Sequence, residues 1–112
     1  MRVGTDCSGI EAPLYALKAL KVKYDHVFSC ENDKFARQTL QANHNPRHMY
    51  GDITKRKHKD VPRVDLYVAG FPCQPFSNFG KALGLNDRRA NVFFHCFNTS
   101  NWKLPKYLFL KT

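Results

Sequence analysis

The stretch Val64-Asp65-Leu66-Tyr67-Val68-Ala69-Gly70-Phe71-Pro72-Cys73-Gln74-Pro75-Phe76-Ser77 decides the fold class of this 112-residue chain. Its first part, Val64 to Ala69, is almost continuously apolar, which is typical of a central parallel strand that is buried on both faces. The two prolines that follow allow neither a strand nor a helix to continue. The sequence therefore predicts a buried parallel strand that ends in a stiff loop presenting Cys73.

Strand-like and helix-like segments alternate on both sides of this stretch, and one domain is the most that the length allows. The predicted strands are Arg2 to Cys7, Tyr24 to Cys30, His48 to Tyr50, Val64 to Ala69 and Tyr107 to Leu110. Helices are predicted from Ala12 to Lys21, after a cap at Asn32 or Asp33, and from Asp87 to about Phe97. This order predicts an α/β fold, a Rossmann-like doubly wound sheet of about five parallel strands with crossover helices.

The apolar spacing of the first two helices predicts which residues face the core. For the first helix these are Leu14, Ala16, Leu17 and Leu20, and for the second Phe35, Ala36, Thr39 and Leu40.

Composition limits the class of protein. The chain has 18 Lys and Arg against 9 Asp and Glu, a net charge of +9, which favours a polyanionic partner. It has no apolar run long enough for a membrane span and no apolar leader at its start. The four cysteines form no C-x-x-C pair, so we expect no zinc site, but free thiols in a reducing intracellular compartment.

Turn and acidic residues follow the first three predicted strands. Ser8-Gly9 follows the first, Glu31 the second and Asp52 the third, and ligands of such sheets bind at the carboxyl ends of strands. Gly9 and Glu31 are 22 positions apart, close to the spacing between a nucleotide-binding turn and a carboxylate that accepts ribose hydroxyls. Spacing alone gives equal weight to a second interpretation, in which Glu31 complements a helix dipole.

The type of cofactor follows from the missing glycines. A dinucleotide fingerprint would need glycines where the chain has Glu11 and Leu14, and the charge of Glu11 would repel a pyrophosphate. A cofactor with a ribose but no phosphate, such as S-adenosylmethionine, fits better, and an NAD-dependent oxidoreductase is disfavoured.

Cys73 is the candidate nucleophile, because proline at 72 and 75 holds its loop and a basic environment favours a thiolate. On chemistry alone a buried, inert cysteine is the commoner fate. Cys7, Cys30 and Cys96 lie in strand or helix patterns and are predicted to be such core residues.

Two basic segments are candidates for phosphate contacts. The run Lys55-Arg56-Lys57-His58-Lys59 is more often a solvated loop, and we favour that interpretation. Arg88 and Arg89 are better candidates for DNA contacts because they follow the cysteine loop.

The segment from Asp65 to Ser77, with Pro72-Cys73 at its centre, resembles the Pro-Cys motif of the DNA cytosine-5 methyltransferases. Further segments resemble other motifs of that family, with order and spacing that agree from about residue 3 to residue 97. They are Cys7-Ser8-Gly9-Ile10-Glu11, Glu31-Asn32-Asp33-Lys34-Phe35-Ala36 with Asn43-His44, Gly51-Asp52-Ile53, Gly80-Lys81 through Gly84-Leu85, Asp87-Arg88-Arg89 and Phe93-Phe94.

The resemblance implies methyl transfer from S-adenosylmethionine to C5 of cytosine in double-stranded DNA, as in restriction–modification systems. Cys73 would form a covalent adduct with a flipped cytosine, and Pro72 would set its loop. The resemblance also implies two groups of binding residues. The cofactor group is Cys7, Ser8, Gly9, Glu31 (ribose), Asp52 (adenine) and Ile53, and the DNA group is Gln74, Ser77, Arg88 and Arg89.

The chain departs from the family pattern at both ends. Thr5 stands where the family usually has an acid, Cys7 replaces an aromatic residue, and Glu11 replaces a common glycine. After Leu110 the family continues with a Glu-Asn-Val motif, whereas this sequence ends at Thr112. We therefore expect a truncated catalytic domain over residues 1–112 without a target-recognition domain. The chain would be completed by a second polypeptide, or else be a non-catalytic remnant that binds S-adenosylmethionine or DNA.

Overall fold

The computed structural model of the chain describes residues 1–70, 95–96, 98–99 and 107–110. The cysteine loop and most of the helix predicted from Asp87 to Phe97 lie outside these residues. The side chains of residues 108–110 are likewise outside the description.

Five parallel strands form one sheet in the order β3-β2-β1-β4-β5. The strands are β1 (Arg2–Asp6), β2 (Asp25–Cys30), β3 (His48–Tyr50), β4 (Leu66–Ala69) and β5 (Tyr107–Leu110). Two helices, α1 (Ala12–Ala19) and α2 (Lys34–Asn43), follow β1 and β2, and single 3-10 turns span Ile53–Lys55 and His58–Asp60. The predicted fold class, an incomplete Rossmann-like sheet, is confirmed.

Strand order reverses at β1, which is the centre of the sheet. It pairs with β2 on one side, where Thr5 is opposite Ser29, and with β4 on the other, where Thr5 is opposite Val68. The chain first builds outward through β2 and β3 and then crosses back to β4. The gap between the carboxyl ends of β1 and β4 is therefore the position at which such sheets bind ligands.

The two faces of β1 carry different chemistry because successive side chains of a strand alternate between faces. Thr5 contacts Glu11 at the start of α1, so α1 lies on that face. Asp6 contacts Arg56 and Tyr67, so the 3-10 turns lie on the other. On the Asp6 face Gly4 is required, because a Cβ there would lie 2.1 Å from Cε1 of Phe28.

The predicted inward face of α1 is wrong in part. Leu14 is fully buried and Leu17 half-buried, but Ala16 is exposed and Leu20 is 73% exposed. Ala16 is about 200° around the helix from Leu14. Leu20 follows the last helical residue and precedes Lys21, whose φ of 57° turns the chain away.

The predicted inward face of α2 is also wrong in part. Asp33 caps α2, because its side chain accepts hydrogen bonds from the backbone N–H groups of Phe35 and Ala36. Of the two predicted caps, Asn32 and Asp33, the structure has the second. Leu40 is buried, but Thr39 is exposed and Phe35 is 76% exposed. Phe35 lies about 140° around the helix from Leu40, so the two cannot share one narrow face.

Neither helix within the part of the chain that the structure describes is long and apolar enough to cross a membrane.

Candidate cofactor-binding site

A cavity of about 280 Å³ lies at the carboxyl ends of β1 and β4, where the strand order reverses. This volume is close to the lower end of the range for small-molecule sites, which begins at about 300 Å³. Its lining residues come from the end of β1, the turn after it, the start of α1 and the end of β4. They are Thr5, Asp6, Cys7, Ser8, Gly9, Ile10, Ala12, Pro13, Val68 and Gly70.

The turn after β1 is held against the end of β2. The Ser8 N–H donates to the Cys30 carbonyl at 3.0 Å, and Ser8 Oγ lies 3.2 Å from the same oxygen. Cys7 and Gly9 have φ values of 52° and 57°. At Gly9 a Cβ would meet nothing within 4 Å, so this position favours glycine for its backbone angle and not for space.

Glu31 is brought to the same turn by direct contact. The Gly9 N–H donates to Glu31 Oε1 at 2.6 Å, and the Asp33 N–H donates to Oε2 at 2.9 Å. The second bond places the carboxylate beside the cap of α2, so the dipole interpretation of Glu31 also has structural support. A carboxylate has about four acceptor positions, so acceptor capacity remains for ribose hydroxyls.

Asp52 and Ile53 follow β3, next to the end of β2, where the Glu31 N–H donates to the Tyr50 carbonyl at 3.0 Å. Asp52 Oδ1 accepts from the Thr54 N–H and hydroxyl at 2.9 and 2.6 Å, which caps the 3-10 turn. The Ile53 side chain is packed in the core. Neither residue is among the described residues that line the cavity.

Asp6, which lines the cavity, is paired with Arg56. The guanidinium donates from Nη1 to Asp6 Oδ1 at 2.6 Å and from Nη2 to Oδ2, and the Tyr67 hydroxyl also donates to Oδ2. The Cζ atom of Arg56 lies 5.6 Å from the ring centroid of Phe28 and 5.3 Å from that of Tyr50. Burial opposes the charge of Arg56, but the hydrogen bonds and charge of Asp6 outweigh it and raise the pKa of Arg56.

The prediction of a solvated basic loop is therefore wrong for Arg56, whose side chain is 5% exposed. It holds for Lys55, Lys57 and Lys59, which are exposed. Asp6, a buried acid at the end of β1, pairs with Arg56 of this run. The sequence of the run alone does not indicate which of its residues is paired.

A polar cluster that the sequence analysis missed adjoins Arg56. His58 Nδ1 lies 2.8 Å from Thr99 Oγ1, and His58 Nε2 lies 3.0 Å from His95 Nδ1. Burial lowers the pKa of both histidines; for His58 the charges of His95 and Arg56 add to the effect, and for His95 the charge of Arg56 does. The two histidines are far apart in sequence and form no recognisable ligand spacing, so no sequence signal joins them.

Three described cysteines are free thiols. Cys30 and Cys96 are buried in the core, as predicted, whereas Cys7 is half-buried and lines the cavity. Burial and the charge of Asp6 raise the pKa of Cys30 to about 12, and a hydrogen bond with Cys7, followed by burial, raises that of Cys96. Thiols that stay protonated are poor nucleophiles, so these two are unsuited to covalent catalysis.

The predicted catalytic and DNA-binding residues lie outside the described residues. These are Pro72, Cys73, Gln74, Ser77, Arg88 and Arg89. Gly70, three positions before Cys73 in the sequence, does line the cavity.

A family model described as C-5 cytosine-specific DNA methylase matches residues 4–111. The type II methyltransferase M.BsuFI of Bacillus subtilis is 46% identical over 85 residues, which are 76% of this chain and 20% of that protein. The orphan methyltransferase M.Rho11sI of Bacillus phage rho11s is 38% identical over 109 residues, which are 96% of this chain and 22% of that protein. The chain thus spans about a fifth of the length of these relatives.

Among solved structures, the crystal structure of S. pombe Dnmt2 methyltransferase superposes with a TM-score of 0.79 at 26% sequence identity. The match covers 98% of this chain and 35% of the other.

Proposed function

Because the chain belongs to the C-5 cytosine-specific DNA methylase family, we propose that residues 1–112 form the cofactor-binding and Pro-Cys part of its catalytic domain. The proposed reaction is methylation of C5 of cytosine in double-stranded DNA. The observation that carries this proposal is the hydrogen bond to Glu31 Oε1 from the N–H of Gly9, a residue that lines the cavity. This hydrogen bond joins a carboxylate to a turn that lacks the further glycines of a dinucleotide-binding motif. The combination suits an adenosyl cofactor without phosphate.

The residues that line the cavity, together with those that follow β2 and β3, fit S-adenosylmethionine. Glu31 would accept hydrogen bonds from the ribose hydroxyls, Asp52 would accept one from the adenine amino group, and Ile53 would lie on the adenine side. The Ser8-Gly9 turn and Cys7 border the methionine part. When bound, the cofactor supplies a methyl group activated by its sulfonium.

Cys73 is the proposed nucleophile. Its thiolate would form a bond to C6 of a cytosine that has been flipped out of the duplex, which would make C5 nucleophilic enough to take the methyl group and leave S-adenosylhomocysteine as the thioether product. Transfer of the C5 proton to a solvent base, with departure of the Cys73 thiolate from C6, would then restore the aromatic base. Pro72 fixes the loop that carries the thiol.

The proposed partner is double-stranded DNA, which the net charge of +9 favours. Gln74 and Ser77 contact the base or its backbone, and Arg88 and Arg89 contact phosphates. The buried free thiols Cys30 and Cys96 support a reducing intracellular compartment.

Calorimetric titration with S-adenosylmethionine tests the pocket. We expect Glu31→Ala to weaken binding at least about tenfold, because a ribose hydrogen bond to a carboxylate is lost. Asp25→Asn, at the opposite end of β2, is the matched control and should bind like the wild type. Equal affinity in Glu31→Ala and wild type would remove Glu31 from the site.

A duplex containing 5-fluorocytosine tests the nucleophile, since fluorine at C5 blocks the elimination step. In the presence of S-adenosylmethionine a competent site should give an adduct by intact mass, and none with Cys73→Ser or with the unfluorinated duplex. An adduct only after addition of a second polypeptide carrying the Glu-Asn-Val motif would assign the remaining motifs to a partner chain. Absence of any adduct would favour a non-catalytic, ligand-binding role.

A further inference from the structure

We propose that Glu11 makes the pocket prefer S-adenosylmethionine, with its positive sulfonium, over the uncharged thioether S-adenosylhomocysteine. This inference rests on the proposed function, because it concerns the same pocket. The selectivity would come from a fully buried carboxylate whose chain neighbours line the cavity.

Glu11 is fully buried next to the cavity. Its chain neighbours Ile10 and Ala12 line the cavity, and its own backbone has φ 70° and ψ 49°. This left-handed conformation is unfavourable for a residue with a side chain, so the contacts of the side chain must offset it.

The carboxylate is held by hydroxyl groups. Thr5 Oγ1 donates to Glu11 Oε1 at 2.5 Å, and Ser29 Oγ donates to the same oxygen. Because Ser29 has one hydroxyl proton, His26 Nε2 at 2.6 Å must donate to it. The groups that donate directly to the carboxylate are thus hydroxyls, and the nearest ring nitrogen, His26 Nε2, lies 3.6 Å from Oε1.

The other oxygen, Oε2, is buried and has no hydrogen-bond partner among the residues that the structure describes. A proton on Oε2 would be a buried donor without an acceptor, which is costly, whereas Oε1 with two hydroxyl donors suits an ionised carboxylate. The arrangement therefore favours a negative charge on Glu11.

One layer of hydroxyl groups separates the Glu11 carboxylate from the cavity. Thr5, which donates to Glu11, lines the cavity, and its Oγ1 lies 2.7 Å from Oγ of Ser8, another lining residue. The second buried acid at the cavity, Asp6, is neutralised by Arg56. Glu11 thus supplies the negative potential that the sulfonium of a cationic ligand would meet at this wall of the cavity.

The same contact joins two departures from the family pattern. Thr5 stands at a position where the family usually has an acid, and Glu11 at one where it often has glycine. Because the Glu11 carboxylate is hydrogen-bonded to the Thr5 hydroxyl, it lies next to the position at which the family usually has an acidic side chain.

The test compares the dissociation constants of S-adenosylmethionine and S-adenosylhomocysteine by calorimetry. In Glu11→Gln, which keeps shape but removes charge, we expect the ratio to shift about five- to tenfold against S-adenosylmethionine, a Coulomb effect typical of partly screened sites. Glu31→Gln is the control, because both ligands carry the ribose and should weaken together at an unchanged ratio.

A double variant, Thr5→Asp with Glu11→Gly, moves the carboxylate back to β1 and puts glycine at the left-handed position. It should keep the wild-type ratio, and it decides the question if Glu11→Gln fails to fold by circular dichroism. An unchanged ratio in Glu11→Gln, or equal weakening of both ligands, would overturn the inference and leave the proposed function standing. Binding of neither ligand by the wild type would overturn the proposed function itself.

Discussion

The buried carboxylates Asp6 and Glu11 lie on opposite faces of the sheet beside one cavity, and they are stabilised in different ways. Asp6 has a full counter-charge, the bidentate guanidinium of Arg56, together with the Tyr67 hydroxyl. Glu11 has only the hydroxyls of Thr5 and Ser29, with the neighbouring His26 ring 3.6 Å from Oε1.

The difference shows that burial does not by itself decide whether a carboxylate contributes charge to a site. On the Asp6 face the ion pair cancels the charge, so that region acts as a structural support for β1, β4 and the 3-10 turns. On the Glu11 face hydroxyl dipoles stabilise the charge without cancelling it. The electrostatic character of the cavity is therefore set by the side that lacks an ion pair.

The largest expected effect comes from breaking the ion pair. Arg56→Met should destabilise the fold by about 3–5 kcal/mol, because Asp6 would stay buried without its counter-charge. Urea unfolding followed by circular dichroism measures this loss. Lys57→Met, at an exposed neighbour in the same basic run, should change stability by less than about 0.5 kcal/mol. Similar losses in both variants would refute the structural role of Arg56.

The next effect concerns the face without an ion pair. Ser29→Ala should cost about 3 kcal/mol, the upper end for a hydrogen bond to a charged group, because Glu11 keeps a single hydroxyl donor. The same unfolding experiment applies. A loss below that of Tyr67→Phe would contradict the claim that Glu11 depends on hydroxyls.

A smaller loss is expected from Tyr67→Phe. It should cost about 1.5 kcal/mol, the lower end of the same range, because Asp6 keeps both guanidinium bonds. Tyr15→Phe removes an exposed hydroxyl and is the matched control. A cost equal to that of Arg56→Met would mean that Tyr67, and not Arg56, is the main partner of Asp6.

The smallest effect is a pH dependence on the Arg56 side. His58 and His95 have pKa values below the usual 6.5, so below that pH the unfolded chain binds more protons than the folded one. The contribution of these two histidines to stability is therefore fully present above about pH 6.5. It is lost as the pH falls toward their lower pKa values in the folded state. The fall in urea midpoint should be smaller in His95→Gln than in the wild type, and unchanged in the exposed control His48→Gln. A midpoint that rises on acidification would reverse the assigned sign.

Much of the fold could be predicted because it depends on local patterns. Runs of apolar residues at strand spacing placed β3 and β5 correctly and the other strands to within two residues, and turn residues located the cavity edge. The inward faces of α1 and α2 were predicted less well, since an apolar residue near a helix end can leave the helical spacing, as Leu20 does. The pairing of Gly9 with Glu31 was foreseeable from their separation, because parallel strands end at the same edge.

By itself, the sequence determined the alternation of strands and helices, the excess positive charge, and the placement of reactive residues after strand ends, because these depend on residue type and order. Only the tertiary structure decided that Arg56 is buried among exposed lysines and that Glu11 contacts Thr5 and Ser29. The physical reason is that the stability of a charge depends on which groups surround it. Those groups come from distant parts of the chain, which only folding brings together.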